Sequence, residues 1–361
     1  MKIALVGRFG EGEILTGPER VARELYYELK SKYEKVIFIE YFFSGYRNST
    51  IIKKIFGKET LNDNVKRFGI APLIFFLLKE KFDLLHIVNL QRFILSVIAL
   101  KFFLSCKIVA NFHGLTQNEI ARENYFKKRY YLDILVEKLL VKKSDLLIFS
   151  STLLLKQFQK NYHLSEKKYM IIPNGVSKSF LQNERQFPSV ENSIKLVFFN
   201  GLDKSINRGL QDLLYLLEKV NYEIELFIIG EQEIGNHSSK INLIYHTPMN
   251  HIELKTFLMD KHFVIKSVSF DSFSMFVFEC MSLGLIPLVS DNVGVKDFIE
   301  HNMNGFVYNS NSKVELAELL NQISAGKYDL SIMSANAKKT SGIFNWEKIT
   351  EEYISAYKSV L

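Results

Sequence analysis

Two carboxylates interrupt an otherwise apolar stretch, FDSFSMFVFECMSLGLIP, residues 270 to 287: Asp271 and Glu279, eight positions apart. A buried carboxylate without a partner is costly, so each requires a cation, a neutralising proton or a cleft in which a ligand waits. Ser274 stands where it can cap a helix running to about Leu283, and Gly284 where it can stop one. The first turn of such a helix presents free N–H groups near Ser274, Met275 and Phe276, an arrangement suited to phosphate. Glu279, about one turn in, has two readings: it accepts hydrogen bonds from ribose or sugar hydroxyls, or it forms a buried salt bridge to a nearby Lys or Arg.

Three further segments carry residues able to do chemistry. The loop GRFGEGEILTGPER follows the first expected strand, and its Gly7, Gly10, Gly12 and Gly17 let backbone amides approach a ligand; Pro18 suits a helix start. The spacing is not that of a dinucleotide fingerprint, and a flexible surface loop is the other reading. In NGLDKSINRGLQDLL, Lys204 and Arg208 precede Gly209 at a strand-to-helix junction. Cations there either hold a diphosphate, stabilising charge on a departing phosphate, or are solvated surface charges. His113, in ANFHGLT beside Gly114, ends another strand and lies either at a cleft or in a structural role. No D-x-D pair, no His/Cys cluster with metal spacing and no G-x-S-x-G elbow occurs, so no metal or cofactor is expected.

These segments need a scaffold, and the chain alternates short β-branched or aromatic runs with longer helical patterns. KIALVG, KVIFIEYF, DLLHIVN, CKIVANF, DLLIFS and KYMIIPN read as strands buried on both faces, because they are continuous rather than alternating. After Asn174 the polar SKSFLQNERQFPSVENS reads as an interdomain linker. A second set then follows in KLVFFNG, EIELFIIG, INLIYH, FVIKSV, LIPLVSD and GFVYN, with helices near 207–219, 250–259 and 274–283. Alternation of strand and helix predicts an α/β chain of two doubly wound, Rossmann-like domains, at 1–180 and 190–344. In such sheets ligands bind outside the carboxyl ends of the strands.

Composition agrees with an ordinary globular chain: 361 residues, 47% hydrophobic, 24% charged. The net charge of +7 suits a solvated basic surface or attraction to anionic partners. Cys106 and Cys280 lie far apart in apolar settings, which fits a reducing, cytoplasmic compartment. The N-terminal run reads as a strand and not as a signal peptide, and the greasiest segments are broken by charge before a membrane span's length. No nucleic-acid partner is expected.

In combination the motifs resemble the family 4 glycosyltransferases, retaining enzymes of the GT-B architecture. TGPERVARELYYEL is similar to the family's first loop and helix, IPNGVSKSF to its entry into the second domain, and FDSFSMFVFECMSLGLIPLVSDNVGVKDFI to its most diagnostic block. FNWEKITEEY is similar to the family's ending, implying that 345–361 crosses back to the first domain. The resemblance implies a nucleotide-sugar donor, UDP- or GDP-linked, held mainly by the second domain, and an acceptor entering from the first. It gives Glu279 the ribose, Asp271 the sugar, the amides of Ser274 to Phe276 the sugar and diphosphate, and Arg208 with Lys204 the leaving diphosphate. Gly17 would close the first loop on the phosphates, His113 would touch the sugar, and Asn174 falls on the donor side.

The chain departs from that pattern in places. Asp271 replaces a glutamate, Thr16 a glycine, Arg208 a lysine and Asp297 a glutamate, while Leu202 stands where an arginine is common. A sugar-nucleotide-binding or scaffold protein without turnover is therefore the alternative, and a nicotinamide-dependent oxidoreductase a more distant one that lacks its glycine fingerprint. Residues 122 to 143 combine Lys127, Lys128, Arg129, Lys138, Lys142 and Lys143 with Tyr125, Phe126, Tyr130 and Tyr131. That segment is either a helix lying on an anionic membrane or a solvated helix with its apolar stripe inward. Many relatives extend lipid-linked oligosaccharides of bacterial surface polysaccharides, O-antigen or capsule, so a glycan or lipid-linked acceptor is expected.

Overall fold

The computed structural model describes residues 1–10, 12–42, 50–62, 64–117, 127–182, 185–201, 209–230, 241–312 and 314–361. They form two compact units: Met1–Ser150 with Leu154–Pro173 and Trp346–Leu361, and Ser151–Leu153 with Asn174–Asn345.

The first unit is built on β1 (Ile3–Val6), β2 (Val36–Tyr41), β3 (Lys58–Asn62), β4 (Val65–Phe68), β5 (Leu84–Ile87), β6 (Lys107–Phe112), β7 (Leu146–Phe149) and β8 (Tyr169–Ile171), in the order β3-β4-β2-β1-β5-β6-β7-β8. All pairs are parallel except β3 with β4. Both β2 and β5 flank β1, so strand order reverses between β1 and β5. Helix α1, Gly17–Lys32, starts at Thr16, whose N–H and hydroxyl both donate to Glu19 Oε2 at 2.9 and 2.8 Å. It buries Val21, Leu25 and Leu29 at helical spacing, each stabilising by about 1.5–3 kcal/mol.

The remaining helices described in this unit are α2 (Ile51–Phe56), α3 (Ile70–Lys79), α4 (Ile94–Ala99), α5 (Lys127–Lys143) and α6 (Thr152–Asn161), the first two residues of α6 falling in the second unit. The chain's last helix, Trp346–Lys358, packs in the same unit: its Tyr357 hydroxyl bonds His86 Nδ1 at 2.7 Å, and its Tyr353 hydroxyl accepts from Asn111 Nδ2 at 2.9 Å.

The second unit holds β9 (Ile194–Phe199), β10 (Ile224–Ile229), β11 (Ile241–His246), β12 (Phe263–Lys266), β13 (Ile286–Ser290) and β14 (Phe306–Tyr308), all parallel in the order β11-β10-β9-β12-β13-β14. Order reverses between β9 and β12. Its helices are α7 (Lys178–Leu181), α8 (Leu210–Leu217), α9 (His251–Leu258), α10 (Met275–Ser282), α11 (Glu315–Ser324) and α12 (Leu330–Gly342), so the chain's last helix is α13.

Three expectations are corrected. The strand KYMIIPN is not buried on both faces: β8 is an edge strand, with Tyr169 and Ile171 exposed. The described residues of the polar stretch after Asn174 belong to the second unit. Phe180 is fully buried, and the Arg185 guanidinium donates to the carbonyls of Met259, Lys261 and Leu283, replacing the solvent a linker would have. The third concerns the hairpin β3–β4, which adds an antiparallel edge that the sequence did not announce.

Candidate functional site

In a doubly wound sheet the crevice lies outside the strand ends where strand order reverses. In the second unit that point is flanked by the connections leaving β9 and β12. The β12 connection carries Asp271, Ser274, Met275, Phe276 and Glu279, so this segment brings five of the expected site residues to one strand-to-helix junction.

Asp271 is fixed by backbone on both sides. Its N–H donates to the Asn292 carbonyl at 3.0 Å, while its own carbonyl accepts the Gly294 N–H at 2.8 Å. The next rung, Val295 N–H to the Phe273 carbonyl, is 2.9 Å. Residue 294 must be glycine for this approach, because a Cβ there would meet the Ser272 carbonyl oxygen at 2.1 Å. Ser151 Oγ donates to the same Ser272 oxygen at 2.6 Å. The Asp271 carboxylate accepts the Phe273 N–H at 3.1 Å through Oδ1, and Oδ2 lies 3.4 Å from the ammonium of Lys266, a buried residue at the end of β12.

Ser274 occupies the N-cap position of α10 but does not cap it. Its backbone is left-handed, φ 72° and ψ 74°, and its side chain makes no capping hydrogen bond, which corrects the expected role. A non-glycine residue in this region carries strain of the kind found at ligand sites. Helix α10 ends in a glycine turn, Leu285 N–H donating to the Cys280 carbonyl at 3.0 Å past Gly284 at φ 81°. All eight of its residues are buried, Glu279 among them. Phe276 stacks on Phe199 with ring centroids 5.1 Å apart, joining the first turn of α10 to the end of β9.

The β9 connection begins at Asn200 and Gly201 and re-emerges at Gly209, where a Cβ would strike the Ser267 carbonyl oxygen at 2.3 Å. Gly209 thereby allows the two connections to touch. Lys204, Arg208 and Leu202 lie outside the described residues. Asn174, the first residue of the second unit's long segment, is buried, and its Oδ1 has no hydrogen-bond partner among the described residues. Asp297 accepts the Thr152 N–H at 2.8 Å and hydroxyl at 2.6 Å, a structural anchor. The sequence reading also passed over Lys266. A lysine inside an otherwise apolar strand raises the same question as Asp271 does, and the signal was therefore present.

In the first unit the reversal point is flanked by Gly7 and Arg8 after β1 and by Asn89 after β5, and His113 follows the neighbouring β6. Asn89 Oδ1 accepts the Arg8 N–H at 2.7 Å, and His113 Nε2 bonds the Val88 carbonyl at 2.8 Å. Burial depresses the His113 pKa to about 4, against a smaller opposing effect of that carbonyl. The ring is therefore neutral near pH 7, donating through Nε2–H and keeping Nδ1 as an acceptor. Arg23 braces the glycine loop, donating to the carbonyls of Phe9, Gly10 and Gly12 at 2.9, 2.8 and 3.1 Å. Gly17 opens α1. Gly17 and His113 thus belong to one unit and Asp271 to Glu279 to the other. Among the described residues no group of three His, Cys, Asp or Glu is arranged to hold a metal ion.

Comparison with known proteins follows the two units. Residues 15–180 match the model described as Glycosyltransferase Family 4, and residues 180–340 that described as Glycosyl transferases group 1. An uncharacterised glycosyltransferase of Bacillus subtilis, YqgM, is 22% identical over 296 residues, covering 78% of this chain and 79% of that protein.

Among solved structures, sucrose-phosphate synthase from Thermosynechococcus elongatus aligns with a TM-score of 0.75 at 13% identity, over 99% of this chain and 98% of that one. The lipopolysaccharide outer core galactosyltransferase WaaB gives 0.72 at 16% identity over the whole of both chains. HepE from Anabaena in complex with UDP gives 0.72 at 14% identity, over 99% of this chain and all of that one. At such identities these likenesses establish the GT-B fold.

Proposed function

The chain belongs to the family 4 glycosyltransferases, and from that premise we propose that it transfers a sugar, with retention, from a UDP- or GDP-linked donor to a glycan or lipid-linked oligosaccharide in the cytoplasm. The single observation that carries this reading is the convergence of Asp271, the amides opening α10 and Glu279 on one connection at the second unit's reversal point. That is the chemistry a nucleotide sugar needs: carboxylates for hydroxyls and unpaired N–H groups for phosphate. HepE, solved with UDP and with UDP-glucose, supports a uridine-linked donor.

In this reading Glu279 accepts the ribose hydroxyls and Asp271 a sugar hydroxyl, while the amides of Ser274 to Phe276 and the Lys204 and Arg208 cations take the diphosphate. The bond between the anomeric carbon and the phosphate oxygen breaks, and its electron pair leaves on the diphosphate. The acceptor hydroxyl forms the new bond on the same face, its proton passing to a phosphate oxygen. Neutral His113 contacts the sugar through Nδ1. No metal ion is invoked, in keeping with the missing D-x-D pair. Positioning and charge stabilisation supply the rate enhancement. The product is a segment of a bacterial surface polysaccharide.

A panel of nucleotide sugars with lipid-linked acceptors tests this, with the product's anomeric coupling read by NMR. Transfer with the donor's configuration, lost in Glu279→Ala, is expected. Inverted product, or stabilisation by NAD alone among UDP, GDP and NAD, would overturn the reading.

A further inference from the structure

The first unit carries apolar surface that none of the described residues covers. Helix α2 has no buried residue: Ile51 is 76% exposed, Ile52 73% and Phe56 68%. In its neighbour α3, apolar except for its last residue, only Leu73 and Leu77 are buried, while Ile70, Phe75 and Leu78 are exposed. A six-residue helix does not persist in water on its own hydrogen bonds.

The fold holds α2 by its main chain. Gly69 N–H donates to the Gly57 carbonyl at 2.7 Å, and the Tyr41 hydroxyl to the Lys54 carbonyl at 3.1 Å. A Cβ on Gly57 would meet the Lys53 carbonyl oxygen at 2.4 Å, and one on Gly69 would meet it at 2.7 Å. Two glycines therefore let the helix lie this close while its isoleucines and phenylalanine stay outside. A fixed, exposed apolar patch marks a contact surface.

Charge selects the partner. From residue 50 to 81 the sequence has seven Lys or Arg against three Asp or Glu. Arg67 is buried and paired with Glu40 and Glu59, and Glu80 is engaged by Lys2, which leaves six lysines on this stretch. Lys53 and Lys58 are exposed beside Ile52 and Phe56. Across a two-fold interface a second copy of the chain would set this excess against itself. An anionic phospholipid surface meets both demands, offering phosphates to the lysines and an apolar phase to the isoleucines and phenylalanine. No helix among the described residues is long and apolar enough to cross a membrane.

We propose that α2 and α3 form the surface by which the first unit docks on an anionic phospholipid bilayer. Ile51, Ile52 and Phe56 enter the headgroup boundary, and Lys53, Lys54 and Lys58 pair with lipid phosphates. This deepens the reading of a lipid-linked acceptor by naming the surface that would bring the enzyme to it. The test requires no sugar nucleotide, so its failure and the failure of the transfer reading are distinguishable.

Co-sedimentation of the full chain with vesicles of phosphatidylcholine alone, or with one third phosphatidylglycerol, provides the test. The wild type is expected to pellet with the anionic vesicles only and to be released by raised salt. Ile52→Ser with Phe56→Ser should lower partition roughly a hundredfold, and Lys53→Ser with Lys54→Ser about thirtyfold. Because Ile52, Lys53 and Phe56 are exposed and Lys54 is partly so, unchanged thermal midpoints will show that the variants fold. Equal binding to neutral vesicles, no binding by the wild type, or undiminished binding by the Ile52/Phe56 variant would overturn the proposal. So would a dimer in sedimentation velocity that this variant abolishes while vesicles go unbound.

Discussion

The Lys266 ammonium lies 3.4 Å from Oδ2 of Asp271, with the lysine side chain 3% exposed and the aspartate 19%. Oδ1 of the same carboxylate holds the Phe273 N–H. Asp271 thus obtains a cation from the strand that leads into its own loop. A carboxylate oriented at both oxygens has little freedom left to lose when a hydroxyl arrives.

Lys266→Met keeps most of the bulk and removes the charge. It is expected to destabilise the second unit by about 1–3 kcal/mol, because a half-buried carboxylate loses its cation. Asp271→Asn in the same chain should restore most of that loss. Calorimetry of the two single variants and the double checks the coupling; losses that simply add would show that the pair does not interact.

Ser274 pays for its left-handed backbone without gaining a cap. Ser274→Gly should therefore stabilise by about 1 kcal/mol, and Ser274→Val should destabilise by more than that. Thermal unfolding of the three proteins decides it, and a less stable glycine variant would contradict the strain.

Gly294→Ala forces the backbone at Asp271 to Phe273 away from residues 292–295. The expected outcome is loss of nucleotide binding with a destabilisation of about 2–4 kcal/mol. Titration with UDP and thermal unfolding measure both; a variant that binds normally would show that this backbone pairing does not position the site.

The first unit should lose stability in mild acid. Burial holds His86 at about 3 and His113 at about 4, below the ordinary 6.5. Between pH 6.5 and about 4 the unfolded chain binds protons that the folded chain refuses, so stability is complete above 6.5 and falls as pH drops through that window. Each such histidine contributes a slope of about 1.4 kcal/mol per pH unit. Calorimetric midpoints at pH 7 and pH 5 should differ in this sense, and His113→Gln should reduce the slope by one proton.

Much of this was legible because buried parallel strands leave continuous apolar runs: DLLIFS contains β7, whose four residues are all buried. KETLN was not legible as a strand, since all five of its residues are exposed and it leaves no apolar run. Hydropathy also reads Arg185 as polar linker, being blind to the three carbonyls it satisfies. At the site, residue types placed Asp271 and Glu279 on the right junction. The sign of φ at Ser274 depends on the pairing of residues 271–273 with 292–295, a contact about twenty positions away that no local pattern reports.

The most direct measurement is calorimetric titration of the wild type and Glu279→Ala with UDP and GDP. The account predicts that one nucleotide binds the wild type and binds the variant about 2 kcal/mol more weakly, roughly thirtyfold, through loss of charged hydrogen bonds to ribose. Equal affinity in the two proteins, with the fold of the variant intact, would contradict it.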